Sequence, residues 1–152
     1  MISYKRKNAY NRWICLGNFV LFLLITISIF YFSWIPDNKL ASETYLPLWL
    51  LNWSNTYFNL RTAVPFVIFG FFLEALFSLK NKLQKNKNRF GFWFRNSAVV
   101  LVVVCLAEGG QFFISKRHPD IMDVMFGIIG SQIGFVAFYI LKRFKANLVE
   151  KK

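Results

Sequence analysis

The residues best suited to chemistry lie in one short stretch in the second half of the chain. Glu108 and Gln111 are three residues apart, so a helix would place both on the same face. Arg117, Asp120 and Asp123 follow closely. Carboxylates beside guanidinium and amide groups can bind a polar ligand, exchange protons or simply form ion pairs. The stretch therefore predicts a polar binding site, a site of acid–base chemistry or an ionic contact between helices.

The elements that must position these residues are apolar. The chain has 152 residues, of which 56% are hydrophobic and nineteen are Phe, and a soluble domain of this size could not bury them all. Apolar runs near the length needed to cross a bilayer lie at about 13–35, 62–79, 96–114 and 124–141. We therefore predict an all-α membrane protein, a single membrane domain over 1–152 with four transmembrane helices.

The basic residues predict the orientation of these helices. Fifteen of the nineteen Lys and Arg residues lie in the N-terminal tail, in the loop 80–95 or in the C-terminal tail. Because cytoplasmic loops carry an excess of Lys and Arg, both termini are predicted to be cytoplasmic. The formal charge of +12 is thus read as a topology signal, and no nucleic-acid partner is expected.

The connection 36–61, on the predicted outer side, is rich in aromatic residues. Its most apolar part, Leu46–Leu51, is too short to span, which favours a short interfacial or re-entrant segment. An aromatic belt flanking the second span explains the same composition equally well.

With this orientation, the polar residues at membrane depth gather at the outer ends of spans two to four. Glu108 lies about two turns below the end of its helix, so its carboxylate must take a proton or pair with a cation. Arg61 and Arg117 are the expected partners, while span one, which carries no acid, is expected to act as anchor and wall. The candidate outward polar cluster consists of Asn59, Arg61, Glu108, Gln111, Arg117, Asp120 and Asp123.

Two other groups of residues have structural interpretations. Glu74 lies near the inner end of span two, where it could reach Lys80 or the interface by snorkelling, so we expect it to be structural. Small residues at helical spacing in span four predict close helix packing in lipid. They are Gly127, Gly130, Ser131 and Gly134.

Several enzyme classes do not fit the residues. A lipid phosphatase that uses two histidines is excluded because His118 is the only histidine, and no zinc-protease helix motif is present. Cys105 lies in an apolar run without a nearby base, so it is not a nucleophile. The carboxylates Glu108, Asp120 and Asp123 are spaced too loosely to indicate a divalent cation. We therefore predict no catalytic residue, metal or cofactor.

The order of these residues resembles the VanZ-like family of bacterial integral membrane proteins. In that family a Glu-x-x-Gln pair ends one span, and an Arg followed by Asp-x-x-Asp enters the next, with two glycines further on. The matching positions are Glu108, Gln111, Arg117, Asp120, Asp123, Gly130 and Gly134, and upstream Asn59, Pro65 and Phe66. The resemblance covers about 59–141. Where the family commonly carries Asn, four residues after the second Asp, this chain has Gly127.

The resemblance implies a multi-pass protein of the bacterial cytoplasmic membrane that acts in the cell envelope. It implies an effect on susceptibility to lipoglycopeptides such as teicoplanin, with membrane lipids, lipid-linked wall precursors or the lipoglycopeptide itself as partners. We expect the polar cluster to bind a lipid or phosphate head group without turnover. The alternatives are an intramembrane enzyme acting on a lipid-linked envelope substrate and a non-catalytic scaffold that works through a protein partner.

Overall fold

The computed structural model describes residues 2–37, 39–40, 43–84, 89–115 and 117–150, and these are almost entirely helical. No strand occurs among them. The helices are α1 (Ile2–Trp34), α2 (Leu48–Thr56), α3 (Phe58–Gln84), α4 (Arg89–Gly110) and α5 (Ile121–Glu150), and a 3₁₀ turn at Gln111–Phe113 follows α4.

Within the described part of the chain, four helices are long and apolar enough to cross a membrane, which confirms the predicted number of spans. Their apolar segments are Arg12–Trp34, Phe58–Leu79, Trp93–Phe113 and Ile121–Leu148. Most of the helices continue beyond the predicted spans into flanking polar residues, whereas α1 ends at Trp34 and α4 ends at Gly110, before the predicted ends of their spans at 35 and 114. A span that begins at 62 would place Pro65 in its first turn, but α3 begins at Phe58 and Pro65 lies inside it.

The short segment predicted between spans one and two is α2. It has nine residues and packs against α3, and Tyr57 separates the two helices. Leu48 and Trp49 are exposed on its outer face, whereas Ser54 is buried. Five of the basic residues used to predict the orientation lie outside the described residues, namely Lys85, Lys87, Lys116, Lys151 and Lys152. The orientation stays a prediction.

The four spans form a ring in which α1 contacts α3, α3 contacts α5, α5 contacts α4 and α4 contacts α1. The most extensive contact is between α3 and α5, followed by α1 with α3, while α4 packs against α5 and α1. The side chains buried between them are mainly aliphatic and aromatic. They include Ile29, Phe66, Phe69, Leu73, Val100, Val104, Ala107 and Phe135.

Small residues let α3 and α5 approach closely. A methyl group added at Gly134 would lie 2.8 Å from the backbone nitrogen of Phe71, and one added at Gly130 would lie 3.2 Å from Cα of Ala63. Ser131 between them is fully buried. The packing predicted for this run of α5 therefore takes place against the backbone of α3, where no larger side chain fits.

Antiparallel packing brings the ends of α1 and α4 to the starts of α3 and α5. Contacts between Ser33 and Ala107 and between Thr62 and Asp123 join these four elements. We call this side of the bundle the Glu108 end. Most of the polar residues singled out in the sequence lie there.

Candidate functional site

A cavity of about 400 Å³ opens at the Glu108 end of the bundle. Residues of α1, α2 and α3 form most of its lining, and α4, α5 and the connection between them contribute Ala107, Glu108, Gln111, Arg117 and Asp123. Four charged side chains line it: Arg61, Glu108, Arg117 and Asp123. The volume falls in the range of small-ligand sites in proteins.

Glu108 is buried and receives hydrogen bonds from two directions. The side-chain amide of Gln111 donates to Oε1 at 3.1 Å, as expected from their spacing on one face. The backbone N–H of Asp120 donates to Oε2 at 3.2 Å. The carboxylate therefore fixes the end of α4 to the residue that precedes α5.

Arg117 links the cavity to the end of α1. Its Nε donates to the carbonyl of Ile35 at 2.7 Å, and a second guanidinium nitrogen lies 3.4 Å from the carbonyl of Phe32. Carbonyl groups at the C-terminal end of a helix have no backbone N–H partner within the helix, so a cation beside them is favourable. Burial lowers the pKa of Arg117, and the nearby carboxylates of Glu108 and Asp123 oppose this effect.

Asp123 joins α5 to α3. It lies in the first turn of α5 and accepts a hydrogen bond from the hydroxyl of Thr62 at 2.7 Å. Arg61, next to Thr62, lies close enough to Asp123 and Arg117 for their charges to interact, and its guanidinium also contacts the ring of Phe58. Both predicted cationic partners therefore lie in the cavity with both carboxylates.

The remaining candidates from the sequence lie at its margin. Asp120 is exposed and caps α5, accepting a hydrogen bond from the backbone N–H of Met122 at 2.8 Å. Asn59 and His118 are exposed and do not line the cavity. Among the residues that the structure describes, no group of three or more His, Cys, Asp or Glu side chains could hold a metal ion.

The first span contributes more to this site than an anchor would. Ser33 accepts a hydrogen bond from Gln111 and donates one to the carbonyl of Ala107, both at 3.1 Å. The indole of Trp34 donates to the same carbonyl and lies across Gly110. Ser33 and Trp34 were missed because their types are common at span ends, and only the packing of α1 on α4 reveals their role.

The apolar part of the cavity runs along the groove between α1 and α3. From Arg61 it reaches Ile68, and from Ser33 it reaches Ile25, a depth of about 10 Å on each helix. Beyond these residues the rings of Phe22 and Phe69 meet with centroids 4.9 Å apart and close the groove. The cavity thus has one end lined by charged side chains and one end lined by apolar side chains.

The rim of this groove lies on the surface of the bundle that a membrane would surround. Val64 and Ile68 on α3 and Phe32 on α1 line the cavity and are exposed on that surface. Apolar residues of two spanning helices therefore both line the cavity and lie on the exposed surface of the bundle.

Ser54 of α2 is the least expected residue in the cavity. Only 3% of its surface is exposed, and its hydroxyl is buried without a hydrogen-bond partner. Ser28 of α1 also lines the cavity, but its hydroxyl has a partner, since it donates to the carbonyl of Leu24 in its own helix at 2.8 Å. No sequence signal distinguishes the two serines.

A sequence model of the VanZ/LLP1 family matches residues 2–142, almost the whole chain. The chain belongs to the VanZ/LLP1 family. The match extends toward the N-terminus beyond the 59–141 region that carries the resemblance in the sequence. No significant similarity was found to a protein with a curated function or to a solved structure.

The structure gives a physical reason for the departure at Gly127 from the Asn common in VanZ-like proteins. A methyl group added at Gly127 would lie 2.9 Å from a methyl of Val104 and 3.2 Å from the ring of Phe66. These two buried side chains occupy the space that a longer residue would need. In this VanZ/LLP1 protein the position one turn after Asp123 is thus part of the apolar core.

A second buried polar cluster lies nearer the other end of the bundle, and we call it the Glu74 cluster. Glu74 is 2% exposed and accepts a hydrogen bond from the side-chain amide of Asn96, which is 1% exposed. Tyr139 also lies within hydrogen-bonding range of Glu74, and the charges of Lys142 and Arg95 are nearby. Glu74 is therefore held between helices, and the predicted snorkelling to the interface is wrong.

Proposed function

We propose that this VanZ/LLP1 protein binds a membrane lipid by its polar head group in the cavity at the Glu108 end. The observation that carries the proposal is the combination of four charged side chains and an apolar groove in one cavity. A soluble polar metabolite would make no use of the apolar groove, and a plain hydrocarbon would make no polar contact with the charged side chains. An amphiphile matches both parts.

The position of the opening supports the same proposal. The exposed rim residues Val64, Ile68 and Phe32 lie on spanning helices, so a lipid could enter sideways without leaving the bilayer. The cavity is too small for a whole two-chain lipid, and it accommodates a head group with part of one chain.

Family membership leads us to place this binding in the bacterial cell envelope. We propose that occupancy of the cavity by an envelope lipid changes the susceptibility of the cell to lipoglycopeptides such as teicoplanin. The basic loops then face the cytoplasm and the Glu108 end faces outward, where lipid-linked wall precursors and lipoglycopeptides are met.

The experiment measures which lipids the purified protein retains. Wild-type protein and the variants Arg61→Gln and Arg117→Gln are extracted in native lipid discs, moved into detergent, and analysed by native mass spectrometry. We expect each variant to retain at least ten-fold less lipid than wild type, because a buried charge-assisted hydrogen bond to the head group is lost.

Arg95→Gln is the matched control. Arg95 also lies against an aromatic ring, that of Phe77, but on the side of the bundle away from the cavity. The Arg95→Gln variant should retain as much lipid as wild type. Equal lipid retention by wild type and both cavity variants would refute the proposal, and unchanged teicoplanin susceptibility in cells expressing them would refute the envelope role.

A further inference from the structure

The chemistry of the cavity specifies its lipid more closely, on the basis of the proposed function. Two arginines and two carboxylates line it, so the cavity has no formal excess of either charge. Within 36–61 and 108–123, the segments that form this end, there are five acidic and four basic residues. A purely anionic head group could accept hydrogen bonds from the arginines, but it would bring a further negative charge beside the two carboxylates and no cation for them.

Glu108 and Asp123 retain capacity to accept further hydrogen bonds. Each ionised carboxylate has about four lone-pair positions. Glu108 receives donors from Gln111 and Asp120, and Asp123 receives one from Thr62. A primary ammonium group, which has three N–H donors, can therefore bind between them.

Ser54 indicates a further property of the ligand, a polar atom that can form a hydrogen bond with its hydroxyl. Its hydroxyl lines the cavity, is buried from water and has no partner, which is unfavourable unless a ligand provides one. Ser54 belongs to α2, which packs against α3, and it lines the same cavity as Arg61 and the apolar groove. An oxygen at the junction of head group and acyl chain would meet it there.

We propose that the lipid is a zwitterionic phospholipid with a primary amine, such as one with a phosphoethanolamine head group. Its phosphate lies at Arg61 and Arg117, and its ammonium group lies at Glu108 and Asp123. An ester or hydroxyl oxygen bonds Ser54. One acyl chain occupies the groove as far as Phe22 and Phe69.

The first test compares three lipids with identical chains in detergent micelles. Phosphatidylethanolamine, phosphatidylglycerol and phosphatidylcholine are added to the full-length protein in equal amounts and their retention is measured by native mass spectrometry. We expect at least ten-fold preference for phosphatidylethanolamine. Phosphatidylglycerol lacks the cation, and the trimethylated amine of phosphatidylcholine has no N–H to donate.

The second test uses Asp123→Asn. Asparagine still accepts the hydrogen bond from Thr62, so the contact between α5 and α3 is kept while the negative charge is lost. The preference for phosphatidylethanolamine over phosphatidylglycerol should fall at least five-fold. An unchanged preference in a variant that unfolds at the wild-type temperature would overturn the assignment of the ammonium group.

The third test compares Ser54→Ala with Thr56→Val. Removing an unpartnered hydroxyl should leave the lipid-free protein as stable as wild type or more stable, yet lower phosphatidylethanolamine retention about five-fold through one lost hydrogen bond. Thr56→Val should change retention little, because the Thr56 hydroxyl donates to the carbonyl of Asn52 within α2 and does not line the cavity. A purely structural serine would show the reverse, lower stability with unchanged retention.

The outcomes separate this inference from the proposed function. Phosphatidylglycerol retained as well as or better than phosphatidylethanolamine, and still lost in Arg61→Gln, overturns the zwitterionic ligand while lipid binding stands. No lipid retained above the level of Arg61→Gln overturns both.

Discussion

The two polar clusters of this bundle begin from similar chemistry and differ in their surroundings. Glu108 and Glu74 are both buried carboxylates on spanning helices, and each accepts a hydrogen bond from a side-chain amide. Glu108 lines an open cavity with two arginines, whereas Glu74 does not line that cavity and lies with Asn96 between packed helices. A membrane-buried acid therefore indicates a binding site only where space and unused hydrogen-bonding capacity accompany it.

The largest loss of stability is expected from Glu74→Ala. The substitution leaves a void and deprives the buried amide of Asn96 of its acceptor, so the free energy of unfolding should fall by about 3 kcal/mol. Lipid retention by the folded fraction should not change, because Glu74 lies outside the cavity. Unfolding by denaturing detergent in mixed micelles measures the first quantity, and native mass spectrometry measures the second. Altered lipid selectivity in this variant would show that the two clusters are coupled.

A smaller loss of stability is expected from a substitution in the tight contact between α3 and α5, which lies between the two clusters. In Gly134→Ala the new methyl would meet backbone atoms of Val67 and Phe71, which cannot move aside, so the free energy of unfolding should fall by about 2 kcal/mol. Gly109→Ala is the control, because nothing lies within 4 Å of a methyl group at that position. Equal stability of the two variants, measured in the same micelles, would contradict the close approach of the helices.

The sequence predicts the number of spans and the position of the polar cluster because both depend on local patterns. Apolar length identifies the helices, and the three-residue spacing of Glu108 and Gln111 gives their hydrogen bond directly. Partners distant in the chain could not be obtained in this way. The bond from Thr62 to Asp123 and the contacts of Arg117 with the end of α1 depend on how whole helices dock.

The two serines show the same limit more sharply. Ser28 and Ser54 both lie in apolar surroundings and both line the cavity, yet only Ser54 lacks a partner. The hydroxyl of Ser28 donates to the carbonyl four residues back, whereas the hydroxyl of Ser54 makes no such bond. Residue spacing does not encode that difference, because both serines lie in helices with a carbonyl four residues back.

The smallest change in stability is expected from replacing each acid by its amide. Glu108→Gln keeps one acceptor and loses the other, so either the Gln111 amide or the Asp120 N–H loses its partner, at a cost of about 1 kcal/mol. Glu74→Gln should cost less, since one side-chain oxygen still accepts from Asn96 and the new N–H₂ adds a donor beside the Asn96 oxygen that is buried without a partner.

Lipid binding should separate these two isosteric variants. Glu108→Gln removes a negative charge from the cavity and should shift lipid preference from phosphatidylethanolamine toward phosphatidylglycerol, as Asp123→Asn does, while Glu74→Gln should keep the wild-type preference. Side-by-side native mass spectrometry of the two purified variants measures both. The same shift in both variants would mean that overall charge, rather than the chemistry of the cavity, sets lipid preference, because the two substitutions change the charge of the chain equally.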